Sequence, residues 1–373
     1  MKKKVLISQR VPAFFRRPFF ESLAKEVDLV VTSGESLEND SIKTFDSLSR
    51  GEFLKTKISY YLGGQFWFDK NWKKNIENHR PDIVVITPTP RMLSNYCVVK
   101  YCKKHSIRVV GWGMGEMPGM GRFQAFIHLL LAQTLVKKLD GMICYSTAAR
   151  DYYVTTGISK EKCVIAYNSV DTCESKRLFD KLVRDKELTN RINTIYDLGA
   201  DTTKLLFVGR LTKSKCVDAL ICSLEKIESK VELIIVGDGV YFDTLKKLAS
   251  NITTNVTFTG HKTGEELAEL FVASDLFVLP SLGGLAIQQA MSYGLPVIAS
   301  IGDGTEQDLI DEGINGFVFR EKDWFHLKEC LNIALMDKEQ LKVMGRNSLL
   351  KVTQDVNINN MVCSFTNALT KND

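Results

Sequence analysis

Phe207–Lys215 reads FVGRLTKSK. The apolar run that leads into it, KLLFVG (Lys204–Gly209), is short, continuous and rich in Leu and Val, as expected for a parallel strand buried on both faces. It ends at Gly209, Arg210 follows at once, and Lys215 comes five residues later near the start of the next helical stretch. Two cations beside a helix N-terminus suit a diphosphate, because the helix adds partial positive charge and free N–H groups. The plainer alternative is a surface Arg and Lys on an ordinary loop.

Working outward, the same rhythm recurs. VELIIVG (Val231–Gly237), VTFTG (Val256–Gly260), LFVLPS (Leu276–Ser281), PVIAS (Pro296–Ser300) and GFVF (Gly316–Phe319) follow, separated by helical stretches. Upstream stand VLIS (Val5–Ser8), VDLVVT (Val27–Thr32), IVVITP (Ile83–Pro88), IRVVGW (Ile107–Trp112), GMICYS (Gly141–Ser146) and CVIAYN (Cys163–Asn168). Between the two series, 171–200 is charged and helical in pattern without a strand. The reading is an α/β protein with two doubly wound, Rossmann-like domains facing a cleft, their ligands at strand carboxyl ends. The expected boundaries are 1–172, a linker at 173–200, and 201–355, with the helix 356–373 returning to complete the first domain.

Two further stretches of the second half carry site signals. In PSLGGLAIQQAMSYGLPVIAS (Pro280–Ser300), Gly283 and Gly284 precede a helix that begins near Leu285, so backbone amides can approach a ligand closely. Gln289, farther along that helix, can hydrogen-bond ribose hydroxyls. In GDGTEQDLIDEGING (Gly302–Gly316), Glu306 stands at a helix start, where the dipole favours it. Pure capping is the alternative there.

The length of 373 residues suits two domains. The composition, 45% hydrophobic and 25% charged, excludes disordered, collagen-like and disulfide-miniprotein classes. The net charge of +5 conceals an asymmetry. Residues 1–170 hold 26 Lys+Arg against 15 Asp+Glu, net +11, and the remainder holds 23 against 29, net −6. A basic half implies an anionic partner. The nine cysteines, odd in number and without CxxC, read as buried, reduced thiols of a cytosolic protein. MKKKVLIS reads as a first strand rather than a signal peptide. AFIHLLLAQTLV (Ala125–Val136) is too short to span a bilayer. That helix, ending in Lys137 and Lys138, reads first as buried core and second as an interfacial helix. The aromatics at Phe14–Phe20 and Tyr60–Trp72 read first as core packing and second as an acceptor groove. No recognition motif supports nucleic-acid binding. No GxGxxG follows the first strand, where QRVPAFF stands, so a dehydrogenase is a poor alternative too.

The order FVGRL…K, LIIVGDG, VTFTGH, ASDLFVLPS, a glycine loop, AMSYGLPVIAS and GxxxxLIxxGxNG resembles the retaining GT-B glycosyltransferases of family 4, also called group 1. RRPFFESL, GWGMGEM and VIAYNSVD resemble that family's acceptor domain. The resemblance implies that Arg210 and Lys215 bind the donor diphosphate. Gly283, Gly284 and the Leu285 amide would line phosphates and sugar, and Gly209, Gly237 and Glu306 are placed with the same donor site. It puts His261 where backbone groups read the nucleobase. Ser281 and Gln289, with seven residues between them, stand at the two glutamates of the family's Glu-x7-Glu motif. Met114 replaces the histidine of a Trp-x-His-Gly pattern, so Glu116 is the nearby side chain that could take part in catalysis. Arg16, Arg17, Trp112 and Met114 fall on the acceptor side.

The resemblance implies a hexosyltransferase-type enzyme, retaining and metal-independent, with a UDP- or GDP-sugar as co-substrate and no other cofactor. The acceptor is expected to be a growing surface glycan of lipopolysaccharide, capsule or exopolysaccharide, or a polyprenyl-diphosphate-linked sugar. The expected location is the cytoplasm, peripheral to the anionic inner face of the plasma membrane. The alternative is a non-catalytic GT-B protein that acts as scaffold for a true transferase.

Overall fold

The computed structural model describes residues 2–35, 43–115 and 122–371. The chain divides into two compact units: Met1–Ser169 with Ile358–Asp373, and Val170–Asn357. Both are parallel-sheet, Rossmann-like domains.

In the first unit the strands are β1 (Lys4–Gln9), β2 (Asp28–Ser33), β3 (Glu52–Lys55), β4 (Ile58–Tyr61), β5 (Phe66–Asp69), β6 (Ile83–Ile86), β7 (Arg108–Gly113), β8 (Gly141–Cys144) and β9 (Cys163–Ile165). Seven form a sheet in the order β3-β2-β1-β6-β7-β8-β9, all parallel, while β4 and β5 pair as an antiparallel hairpin. The central strands are continuous Val/Ile runs because helices cover both faces. The final helix, Ile358–Thr370, packs on β8 and β9. Its Phe365 ring meets Trp112 and Phe19, each with centroids 5.1 Å apart. Its end is held by Arg108, whose guanidinium donates to the carbonyls of Leu369 at 2.6 Å, Ala368 at 3.0 Å and Lys371 at 2.6 Å. A cation there satisfies last-turn carbonyls and opposes the dipole.

The second unit holds β10 (Thr203–Val208), β11 (Val231–Val236), β12 (Asn255–Gly260), β13 (Leu276–Leu279), β14 (Val297–Ser300) and β15 (Gly316–Phe319), in the parallel order β12-β11-β10-β13-β14-β15. Residues 173–200, expected as a linker, instead form two helices within this unit, Thr172–Leu182 and Leu188–Tyr196. Leu178, Leu182, Leu188 and Ile192 make an apolar stripe that is buried, and Arg191 bridges Asp185 and Glu269, each at 2.9 Å. An amphipathic stripe of this kind drives the segment onto a domain surface.

The helix Arg122–Val136 divides along its length. Ala132, Leu135 and Val136 enter the core, whereas Phe126, Ile127, Leu130 and Leu131 are exposed, Phe126 by 57%. The expectation that this helix is chiefly core therefore holds only for its last turn. Among the described residues no helix is long and apolar enough to cross a membrane. The nine cysteines are free; Cys97, Cys173, Cys222 and Cys363 are exposed rather than buried.

Candidate functional site

In a doubly wound sheet the strand order reverses at one point, and the loops diverge there to leave a crevice. In the second unit this point lies between β10 and β13. After β10, Leu211 is buried and anchors the loop, while Arg210 on its other side is exposed. The Gly209 and Leu211 amides donate to the carbonyls of Val236 at 3.0 Å and Asp238 at 2.9 Å, so this loop lies directly on the GDG turn after β11. Gly237 has φ +144°, and a Cβ there would stand 1.9 Å from the Gly209 carbonyl oxygen. Only glycine allows that approach.

Lys215 closes the short turn Lys213–Lys215 and is half-buried; its ammonium donates to the Leu282 carbonyl after β13. Burial pushes its pKa down, the neighbouring Arg210 cation pushes it further, and Asp303 opposes them. A partly desolvated Lys215 ammonium repelled by the neighbouring Arg210 beside a strand end forms a site that an anion relieves.

The helix Gly284–Ser292 starts at the same place. Its first backbone bond is Ala286 N to Gly283 O at 2.9 Å, so the Gly284 and Leu285 amides precede the helical ladder. Gly284 packs on Thr305: a Cβ would lie 2.2 Å from the threonine hydroxyl. Thr305 is fixed by Asp303, which accepts from its amide at 3.0 Å and its hydroxyl at 2.5 Å. The loops after β13 and β14 are thus stacked. Ser281 Oγ and Glu306 Oε1 are buried there without a protein partner among the described residues. Glu306 Oε2 accepts from Gly304 N at 3.0 Å, and burial, reinforced by Asp303, raises the carboxyl pKa.

The structure thus brings Gly209, Arg210, Lys215, Gly237, Ser281, Gly283, Gly284, Leu285 and Glu306 to the carboxyl edge of one sheet. His261 is exposed just after β12. Gln289 is half-buried, while its neighbour Gln288 is fully buried. The Gln288 amide accepts from Val170 N at 2.6 Å and donates to Val356 O at 2.7 Å, clasping the first and last segments of this unit.

In the first unit the strand order reverses between β1 and β6. There, Arg10, Trp67, Thr87, Pro88, Thr89, Arg91, Met92, Gly113, Met114, Gly115, His128, Tyr152 and Tyr153 line a pocket of about 210 Å³. Met114 is among the acceptor-side residues expected from the sequence; the others lie elsewhere. Trp112 is fully buried among Phe19, Phe20, Tyr145 and Phe365, because its position on β7 points it into the core. Arg16 lies 4.5 Å over the Trp112 ring and donates to Gln9 Oε1 at 2.6 Å and to the Tyr145 hydroxyl, a structural clamp. Arg17 pairs with Glu21 at 3.0 Å on its own helix. Glu116 lies outside the described residues. The pocket's own cations, Arg10 and Arg91, were not singled out from sequence. Arg10 follows β1 as Arg210 follows β10, and that parallel is the signal that could have found it. Among the described residues, no group of three or more His, Cys, Asp or Glu could hold a metal ion.

Residues 185–350 match the family model of glycosyl transferases group 1. An uncharacterized glycosyltransferase of Methanocaldococcus jannaschii is 26% identical over 308 residues, covering 77% of this chain and 75% of the relative. The alpha-monoglucosyldiacylglycerol synthase of Streptococcus pneumoniae is 29% identical over 223 residues, covering 57% and 47%. The chain spans about half the length of several such curated relatives. The crystal structure of HepE from Anabaena in complex with UDP superposes with a TM-score of 0.74 at 18% identity, covering 99% of both chains. The fold is that of GT-B glycosyltransferases. The family match and the relatives support the glycosyltransferase superfamily and enzyme activity of that kind.

Proposed function

We propose that the protein transfers a sugar from a UDP- or GDP-sugar to a glycan or lipid-linked acceptor, with retention and without a metal, as a family 4 enzyme. The observation that carries this reading is the convergence of Arg210, Lys215 and the N-terminus of the helix Gly284–Ser292 at the strand-order reversal of the second unit. Departure of the nucleoside diphosphate concentrates negative charge on its phosphate oxygens. Two fixed cations and oriented amides stabilise that charge more as it develops than in the bound donor, which is what lowers the barrier. With retention by same-face attack, the leaving phosphate assists removal of the acceptor proton, and no protein nucleophile is required. The buried Ser281 and Glu306 oxygens offer hydrogen-bonding sites for the donor where the motif glutamates are missing.

The first unit is the acceptor side, and its net positive charge and the exposed apolar face at Phe126, Ile127, Leu130 and Leu131 fit a peripheral position on an anionic cytoplasmic membrane face. The UDP complex of HepE and the monoglucosyldiacylglycerol in the name of the Streptococcus relative support a nucleotide donor and a lipid acceptor.

The experiment is a melting series with UDP, GDP, CDP and ADP. A ligand that binds the folded state stabilises it by RT ln(1 + [L]/Kd). UDP or GDP is expected to raise the melting temperature above the other nucleotides, and no shift with any of the four contradicts the donor assignment.

A further inference from the structure

The pocket of the first unit has a chemistry of its own. It sits at the carboxyl ends of β1, β6 and β7, where the strand order reverses, the place at which such sheets bind ligands. Its described lining includes Arg10, Arg91 and His128 and no Asp or Glu. Both arginines stack on one indole: their guanidinium carbons lie 5.9 Å and 5.1 Å from the Trp67 ring centroid. The backbone fixes this arrangement, since Trp67 N donates to Arg91 O at 3.0 Å and Leu93 N to Trp67 O at 2.9 Å. Arg91 Nε donates to Gln65 O at 2.6 Å, which sets the guanidinium plane and leaves its terminal nitrogens without a protein partner among the described residues. Trp67 is nine-tenths buried, yet its indole N–H has no protein partner among the described residues. A buried donor in that state calls for an acceptor.

We propose that this pocket binds an acidic saccharide, a sugar ring bearing a carboxylate or a phosphate. Arg10 and Arg91 take the anion, Trp67 N–H takes a ring or hydroxyl oxygen, and Pro88, Met114 and Tyr152 wall the apolar face. At about 210 Å³ the pocket is smaller than the roughly 300 Å³ and upward of drug-sized sites, which suits one sugar unit with its charged group. Planar guanidinium forks match carboxylate and phosphate geometry. The identification of this saccharide as the acceptor rests on the glycosyltransferase reading; the binding itself does not. The basic charge of this half then serves to select an anionic sugar as well as to meet a surface.

The test titrates the full chain, by calorimetry and saturation-transfer NMR, with methyl glucuronide, glucose 6-phosphate, methyl glucoside and inorganic phosphate. At least one acidic saccharide is expected to bind tenfold or more tightly than methyl glucoside. A preference for methyl glucuronide assigns a carboxylate, and one for glucose 6-phosphate assigns a phosphate. Arg10→Gln and Arg91→Gln are each expected to weaken that binding tenfold or more, while Lys138→Gln leaves it unchanged. Arg10→Lys and Arg91→Lys, which retain the charge but lose the planar fork, are expected to bind better than the Gln variants and more weakly than wild type, which shows that the pocket still folds. Equal binding of acidic and neutral sugars, inorganic phosphate binding as well as glucose 6-phosphate, or Gln variants that bind like wild type would overturn the proposal. UDP titrated into the same samples reports the donor assignment separately, so failure of either reading is distinguishable.

Discussion

Lys215 donates its ammonium to the carbonyl oxygen of Leu282, so a cation from the loop after β10 is fastened to the loop after β13. Both loops border the point where the strand order of the second unit reverses. The bond holds a charge that burial and Arg210 disfavour. Lys215→Met is therefore expected to leave the melting temperature of the free protein nearly unchanged. A charge-assisted phosphate contact contributes about 1.5–3 kcal/mol, so UDP affinity should fall tenfold or more. Calorimetry reads this directly, and unaltered UDP affinity would remove Lys215 from the donor site.

The packing of Gly284 against Thr305 makes a second prediction. Gly284→Ala places a methyl 2.2 Å from the Thr305 hydroxyl and is expected to destabilise by about 1–3 kcal/mol, the range for overpacking. Adding Thr305→Ala removes the obstructing atom and should recover part of the loss. Chemical denaturation of the two single variants and the double variant gives the coupling. A coupling below about 0.5 kcal/mol would mean that the loops are not stacked as described.

Glu306 gives the pH dependence. Its folded-state pKa is raised, first by burial and then by Asp303, so the folded chain binds this proton more tightly than the unfolded chain. The resulting stability is fully present below the ordinary Glu range and is lost as pH rises through the raised value. Glu306→Gln cannot titrate, and its stability should fall less between pH 4.5 and 7 than that of wild type. Parallel profiles from urea melts at several pH values would contradict this assignment.

The exposed face at Phe126, Ile127, Leu130 and Leu131, with Lys137 and Lys138 beyond it, is expected to bring the protein to anionic vesicles at low salt. Binding should weaken with added salt as surface charges are screened. In Phe126→Ser/Leu130→Ser it should drop severalfold in a flotation assay, with the same nucleotide affinity. No flotation of wild type at low salt rules out the peripheral role.

The strands that were legible in the sequence are those buried on both faces. Runs such as Leu205–Val208, Leu233–Val236 and Ile83–Ile86 carry continuous apolar side chains that no other local structure explains as well. Glu52–Lys55, Ile58–Tyr61 and Phe66–Asp69 escaped, because an edge strand and a hairpin are half-exposed and mix polar with apolar residues. Without that hairpin Trp67 was legible only as one of the aromatics at Tyr60–Trp72, read first as core packing and second as an acceptor groove, and its place beside Arg10 and Arg91 was not. Arg210 and Lys215 were legible because they interrupt a strand-to-helix junction with charge. Arg16 and Trp112 misled for the opposite reason: a cation over an indole serves the core as readily as a ligand, and only the surrounding Phe19, Phe20 and Phe365 decide which. The helices at 172–196 were visible as helices, but their attachment depends on a buried stripe whose partner lies far along the chain.

The most direct measurement is nucleotide release from UDP- and GDP-sugars, with and without acidic and lipid-linked acceptors, in wild type and Arg210→Ala. The account predicts acceptor-dependent release by wild type from at least one donor. It also predicts a hundredfold or greater loss in Arg210→Ala, about 2.7 kcal/mol of transition-state stabilisation at 1.36 kcal/mol per decade. Donor binding without turnover on any acceptor, or full activity in Arg210→Ala, would contradict it.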